Sequence, residues 1–145
     1  MRKNTAFLMV CFSVFFHSCC WSIKGKNLGN NFRLSEYDNV DRRIPSSEER
    51  CSGSGIEIVP MTVTAYANDW KWIVAKSRTS RFEAVYQYWI INKDFKVDVA
   101  TKGDSINNLI KTYVSGPLDA TSFVQVVKSN SIDLTLKKIG SEGGG

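Results

Sequence analysis

Through the middle of the chain, apolar and polar residues alternate with a period of two, the spacing that turns one face of a β-strand to a core and the other to water. In IEIVPMTVTAYAND, residues 56–69, Met61, Val63 and Ala65 alternate with Thr62, Thr64 and Tyr66, and the β-branched residues favour a strand. Pro60 has no N–H to give a ladder, so it belongs at the strand start, at an edge or at a bulge. Asn68-Asp69 supplies a two-residue turn into WKWIVAKS, where Trp70, Trp72 and Val74 share a face. After the polar RTSR, the run EAVYQYWIIN places Val85, Gln87, Trp89 and Ile91 on one face and Tyr86, Tyr88 and Ile90 on the other. Lys93-Asp94 turns the chain into FKVDVAT, where Phe95, Val97 and Val99 alternate with Lys96 and Asp98. Four runs joined by short turns predict an antiparallel meander.

The period then changes. In DSINNLIKTY, Ile106, Leu109, Ile110 and Tyr113 fall at helical spacing, with Asp104 or Ser105 as N-cap. SGPLDATSFVQVVKS reads as a Gly-Pro stop and a second helix capped by Asp119, with Phe123, Val126 and Val127 turned inward. SIDLTLKKIG alternates Ile132, Leu134 and Leu136, enough for an edge strand, and SEGGG is a frayed tail over 140–145. Upstream, NFRLSEYDNVDRRI predicts a hairpin around a polar turn, PSSEERCSGSG reads as loop, and SIKGKNLGN reads by composition as a tether. The expected fold class is α+β: an antiparallel β-meander of about five to six strands with one or two short C-terminal helices on one face, a single domain over 31–139.

The amino-terminal segment has a different character. MRKNT carries Arg2 and Lys3 and no acid, and AFLMVCFSVFF carries no charge, the signature of a basic n-region before an apolar h-region. At about 1.5 Å per helical residue this run reaches roughly 16 Å, half of a bilayer's hydrocarbon core, and is expected to be removed rather than to span. A cut before Cys19 has Phe16 at −3, His17 at −2 and Ser18 at −1, which departs from the small-x-small secretory site and resembles a bacterial lipobox. That resemblance implies removal of a signal peptide over 1–18, acylation at Cys19 and a lipidated tether over 19–30. Cys20 stands where an aspartate would retain the protein in the inner membrane, so the outer membrane is favoured. A plain secreted protein and an uncleaved signal anchor are the competing readings. A thiol suits acylation because its sulfur is nucleophilic near neutral pH, and several attached chains hold a protein on a bilayer without a membrane-spanning helix.

Processing at Cys19 changes the chemistry available. It leaves 127 of the 145 residues, takes the formal charge from +5 to +3 and discards His17, the one histidine. Without histidine, a Ser-His-Asp triad, a Cys-His pair and a His-ligated metal are excluded for the processed chain, and no cofactor is expected. A charge of +3 among interspersed acids, with no Lys/Arg run, is no nucleic-acid footprint. Cys20 and Cys51 remain as a candidate disulfide, worth on the order of 3 to 4 kcal/mol for a loop of about thirty residues, with free thiols or an interchain pair as alternatives. Among the rings of adjacent strands, Trp70 and Tyr88 are the candidates for an aromatic binding face, against the plainer expectation that large rings fill the core. Glu83, Asp94 and Asp98 are the carboxylates nearest one another in sequence, and they sit at turns or alternate with lysine.

The stretches LGNNFRL (28–34), EIVPMTVTAYAND (57–69), WIVAK (72–76), YWIIN (88–92) and GPLDATSF (116–123) together resemble an uncharacterised family of small bacterial lipoproteins, a domain-of-unknown-function family, in the same order along the chain. The resemblance brings no catalytic residue with it. The expectation is therefore a lipid-anchored cell-envelope protein, attached to the membrane by its N-terminal lipid and facing the periplasm or the exterior. It would act as a non-catalytic binding or structural accessory toward an envelope protein or a glycan. An envelope inhibitor that blocks a partner enzyme is the alternative, and a carboxylate-based hydrolase a weaker one.

Overall fold

The structure, a computed structural model, describes residues 24–37, 41–47, 55–60, 62–80, 82, 84–94 and 104–140. Cys19, Cys20 and Cys51, the signal segment and the FKVDVA run lie outside the described residues. The fold is α+β, with two antiparallel sheets and two short helices. One sheet is a four-stranded meander of β1 (Lys24–Gly29), β2 (Phe32–Glu36), β3 (Arg42–Ser46) and β4 (Ile56–Val59), side by side in that order. The other is built on the meander of β5 (Val63–Asn68), β6 (Trp72–Arg78) and β7 (Tyr86–Asn92). It is flanked by β8 (Val114–Leu118) beside β7 and by β9 (Lys137–Lys138) beside β5. The helices are α1 (Asp104–Thr112) and α2 (Ala120–Ser129).

Two of these strands depart from the sequence expectation. The polar segment 22–30 is not a free tether throughout, because its residues from Lys24 pair with β2 as an edge strand. The β1–β2 turn is Asn30-Asn31, both at positive φ (45° and 65°), the backbone that a tight two-residue hairpin turn demands and asparagine tolerates. The Gly-Pro stop is likewise part of a strand, β8, which pairs with β7. Gly116 is needed there for closeness: a Cβ would fall 2.5 Å from Trp89 Cε3. Pro60 lies between β4 and β5, where the chain leaves one sheet for the other and no ladder N–H is required. The apolar run 56–67 is therefore two strands.

Each face of the central meander has its own core. Leu28, Phe32, Ile44 and Val59 from the four-stranded sheet meet Val63, Ile73, Ala75, Trp89 and Ile91 of the five-stranded sheet, and Ile110 of α1 joins them. The layer between the sheets is built of these apolar side chains, and buried Ser77 on the same face of β6 accepts the Trp89 indole N–H at 2.9 Å. On the opposite face Ala67, Val74, Ile90 and Ile132 are covered by Phe123, Val126 and Val127 of α2 and by Leu134 and Leu136. Asp119 caps α2, its Oδ1 accepting the Ser122 N–H at 2.8 Å. One sheet with helices on one face was the expected arrangement. The second sheet arises because both faces of β5–β7 are apolar and α2 covers only one of them.

Lys93 closes the sandwich at one end. It is 7% exposed, and its Nζ donates to the carbonyl of Leu28 on β1 at 2.6 Å and to the carbonyl of Asp69 in the β5–β6 turn. Its own carbonyl accepts from Asn30 Nδ2 at 2.6 Å. Burial pushes the Lys93 ammonium below its ordinary pKa, and the Asp69 carboxylate opposes that shift. A single lysine therefore ties the first strand of one sheet to a turn of the other.

Candidate functional site

The strand register decides which polar side chains share a surface. Directly opposed residues point to the same side of a sheet, so the rung Lys138, Ala65, Lys76, Tyr88 and Leu118 crosses all five strands on the α2 face. Phe123 of α2 stacks on Tyr88, with ring centroids 4.9 Å apart and planes at 29°. On the next rung Arg78 faces Tyr86. Lys76 Nζ stands 3.8 Å above the Tyr86 ring centroid and 5.5 Å from that of Tyr88, while the Arg78 guanidinium carbon is 5.6 Å from the Tyr86 centroid. Arg78 Nη2 also donates to the Tyr86 hydroxyl at 3.4 Å, a long hydrogen bond.

These charges act together on one phenol. The Arg78 hydrogen bond and charge, with Lys76 and Lys138, hold the Tyr86 hydroxyl below the usual tyrosine range. Lys138 lies 52 residues after Tyr86 in the chain and is placed here by the β5–β9 pairing. The two ion pairs among the described residues, Arg42–Glu36 and Arg43–Glu57, both lie in the four-stranded sheet and involve none of these three cations. The absence of a Lys/Arg run in the sequence thus conceals a cluster that the sheet register assembles.

The same end of the molecule is rich in exposed rings. Beyond Arg78 and before Tyr86, the β6–β7 turn is closed by Thr79, whose N–H donates to the Val85 carbonyl at 3.2 Å. Phe82 in this turn is 97% exposed, and Val85 and Tyr86 are exposed as well. Tyr37, exposed at the end of β2, belongs to this end too. Arg78 N–H donates to the Thr62 carbonyl, Thr62 Oγ1 to Asp41 Oδ1 at 3.4 Å, and Tyr37 N–H to the Asp41 carbonyl. Of the exposed large apolar side chains among the described residues, Tyr37, Phe82, Val85 and Tyr86 lie at this end of the molecule and Trp70 at the other.

Trp70 and Tyr88, the two rings singled out from the sequence, are not brought together. Trp70 is 82% exposed in the β5–β6 turn, at the Lys93 end of the molecule, and that turn is fixed by Asp69 Oδ1, which accepts the N–H groups of Lys71 and Trp72. Tyr88 is half-buried under Phe123. Of the three carboxylates, Asp94 is exposed beside Asn92 Oδ1, and Glu83 and Asp98 lie outside the described residues. Among the described residues no group of three His, Cys, Asp or Glu side chains converges, and no helix is long and apolar enough to cross a membrane.

The chain matches no family model, and no curated protein or solved structure matches it.

Proposed function

We propose that this protein is a lipid-anchored component of the bacterial cell envelope, attached through acylated Cys19, whose folded body works as a non-catalytic binding accessory. The basic and apolar run of residues 2–16 and the lipobox-like stretch before Cys19 support the anchor. The observation that carries the binding role is the end of the body formed by Tyr37, Phe82, Val85 and Tyr86 with Lys76, Arg78 and Lys138. Apolar rings held in water beside cations that take part in neither described ion pair suit a partner that is itself apolar and anionic.

Fractionation of cells producing the wild type and Cys19→Ser tests the reading. The wild type is expected in the membrane fraction and the variant, uncleaved or released, with altered distribution and no acyl mass. A variant that is cleaved normally and stays in the membrane fraction would refute the anchor. Chemical crosslinking in cells producing the wild type or Phe82→Ser tests the binding surface, with loss of the wild type's crosslinked adducts expected for the variant while both remain in the membrane fraction.

A further inference from the structure

The start of β1 and the exposed β6–β7 turn lie at the same end of the molecule. Lys24 pairs with Glu36, Glu36 pairs with Arg42, and the neighbouring Asp41 meets Thr62, whose carbonyl accepts the Arg78 N–H. At its other end β1 runs into the Lys93 clasp, where Leu28 accepts from Nζ. The direction of β1 is therefore fixed: its upstream end emerges beside Arg78 and the turn that carries Phe82, away from Trp70. Cys19 precedes Lys24 by five positions, a span of at most about 18 Å when extended.

Resting on the anchor reading above, we infer that this end of the body, Tyr37, Phe82 and Tyr86 with Lys76, Arg78 and Lys138, lies against the anionic surface of the bilayer that holds the lipid. A single acylated residue within reach of the surface sets a high local concentration for any second contact on the same end. Aromatic rings with polar rims partition to the headgroup level, and lysine and arginine side chains beside them reach lipid phosphates while their stems stay on apolar ground. Three cations set around Tyr86, none in either of the described ion pairs, match an anionic lipid better than a neutral one. From the four-stranded sheet, exposed Tyr37 follows β2 at the same end of the molecule. The opposite end, with Trp70 and the Lys93 clasp, then faces away from the membrane and is the part open to other envelope components.

The test is hydrogen exchange on the full chain, produced in bacteria so that it is processed, extracted in detergent and reconstituted into protein-free vesicles. Vesicles containing phosphatidylglycerol are expected to slow exchange several-fold at Thr79–Tyr86 relative to detergent, with less effect in phosphatidylcholine alone and none at Asp69–Lys71. Phe82→Ser and the triple variant K76Q/R78Q/K138Q are expected to lose that slowing while still floating with the vesicles through the lipid. A lipidated protein that floats but exchanges at the turn as it does in detergent overturns the inference and leaves the anchor standing. A chain recovered with Cys19 unmodified brings down both. Slowing seen with native envelope membranes and absent from protein-free phosphatidylglycerol vesicles assigns this end to a protein partner and also overturns it.

Discussion

Replacing Lys93 by methionine removes the ammonium group while keeping the length of its apolar stem, so the packing around the side chain is nearly preserved and the polar loss is isolated. Two backbone carbonyls, those of Leu28 and Asp69, lose their donor at a position that is 7% exposed. A buried acceptor left without a partner costs about 1–3 kcal/mol, so two give about 2–6 kcal/mol gross. Relief of the ammonium's desolvation offsets part of this, and a net loss of about 2–3 kcal/mol is expected. That is a large fraction of a small domain's stability and corresponds to a fall in Tm on the order of 10 °C. Urea unfolding followed by tryptophan fluorescence is the assay, with the denaturation midpoint lowered and the m-value unchanged. Because burial depresses the Lys93 pKa, the unfolded chain binds this proton more tightly than the native one. The wild type therefore gains stability relative to Lys93→Met as pH rises from the depressed value toward the ordinary 10.5, and a neutral amine still offers two N–H donors for the two carbonyls. A variant within about 0.5 kcal/mol of wild type, the range of ordinary surface substitutions, would refute the clasp.

The other expectations are simpler. Gly116→Ala drives a methyl into the Trp89 ring at 2.5 Å and should destabilise by about 1–3 kcal/mol, read by thermal unfolding, with the Trp89 fluorescence environment altered. Asp119→Ala removes the α2 cap. Its carboxyl is held below the usual range by the Ser122 and Thr121 N–H groups, so the wild type's advantage over the variant is present at neutral pH and disappears as pH falls through that lowered pKa. Tyr86 should appear in an ultraviolet pH titration as a phenol ionising below 10.0, and Arg78→Gln should move that transition upward. No change on Arg78→Gln would mean that the cation cluster does not act on the ring.

What could be read from the sequence was what each segment encodes by itself. The β5–β6–β7 meander was visible because side chains alternate with period two within each run, as in Gln87, Trp89 and Ile91 against Tyr86, Tyr88 and Ile90, and α2 because Asp119 precedes Phe123, Val126 and Val127 at helical spacing. Strand β1 was missed because KGKNLG has glycine and lysine where a strand signal needs β-branched residues, and its place comes from pairing with β2. Asn30-Asn31 was the overlooked signal, a hairpin turn written in two residues that tolerate positive φ. β8 was hidden by Gly116-Pro117, which looks like a breaker until Trp89 is placed against it. The candidate surface was least legible of all, since Lys76, Arg78, Tyr86 and Lys138 meet only through register across three strand pairings. Of the two rings chosen from the sequence as the exposed ones, Trp70 is exposed and Tyr88 lies half-buried under Phe123, while Phe82, 97% exposed, sits in a polar turn that gives no periodic signal.

A fatty chain at Cys19 is the premise of both the proposed envelope role and the membrane-facing end of the body. Intact-mass analysis of the native protein extracted from the membrane fraction tests it directly. A chain beginning at Cys19 and carrying acyl mass is the predicted result, and recovery of the protein still starting at Met1, or free in the cytosol, would contradict it.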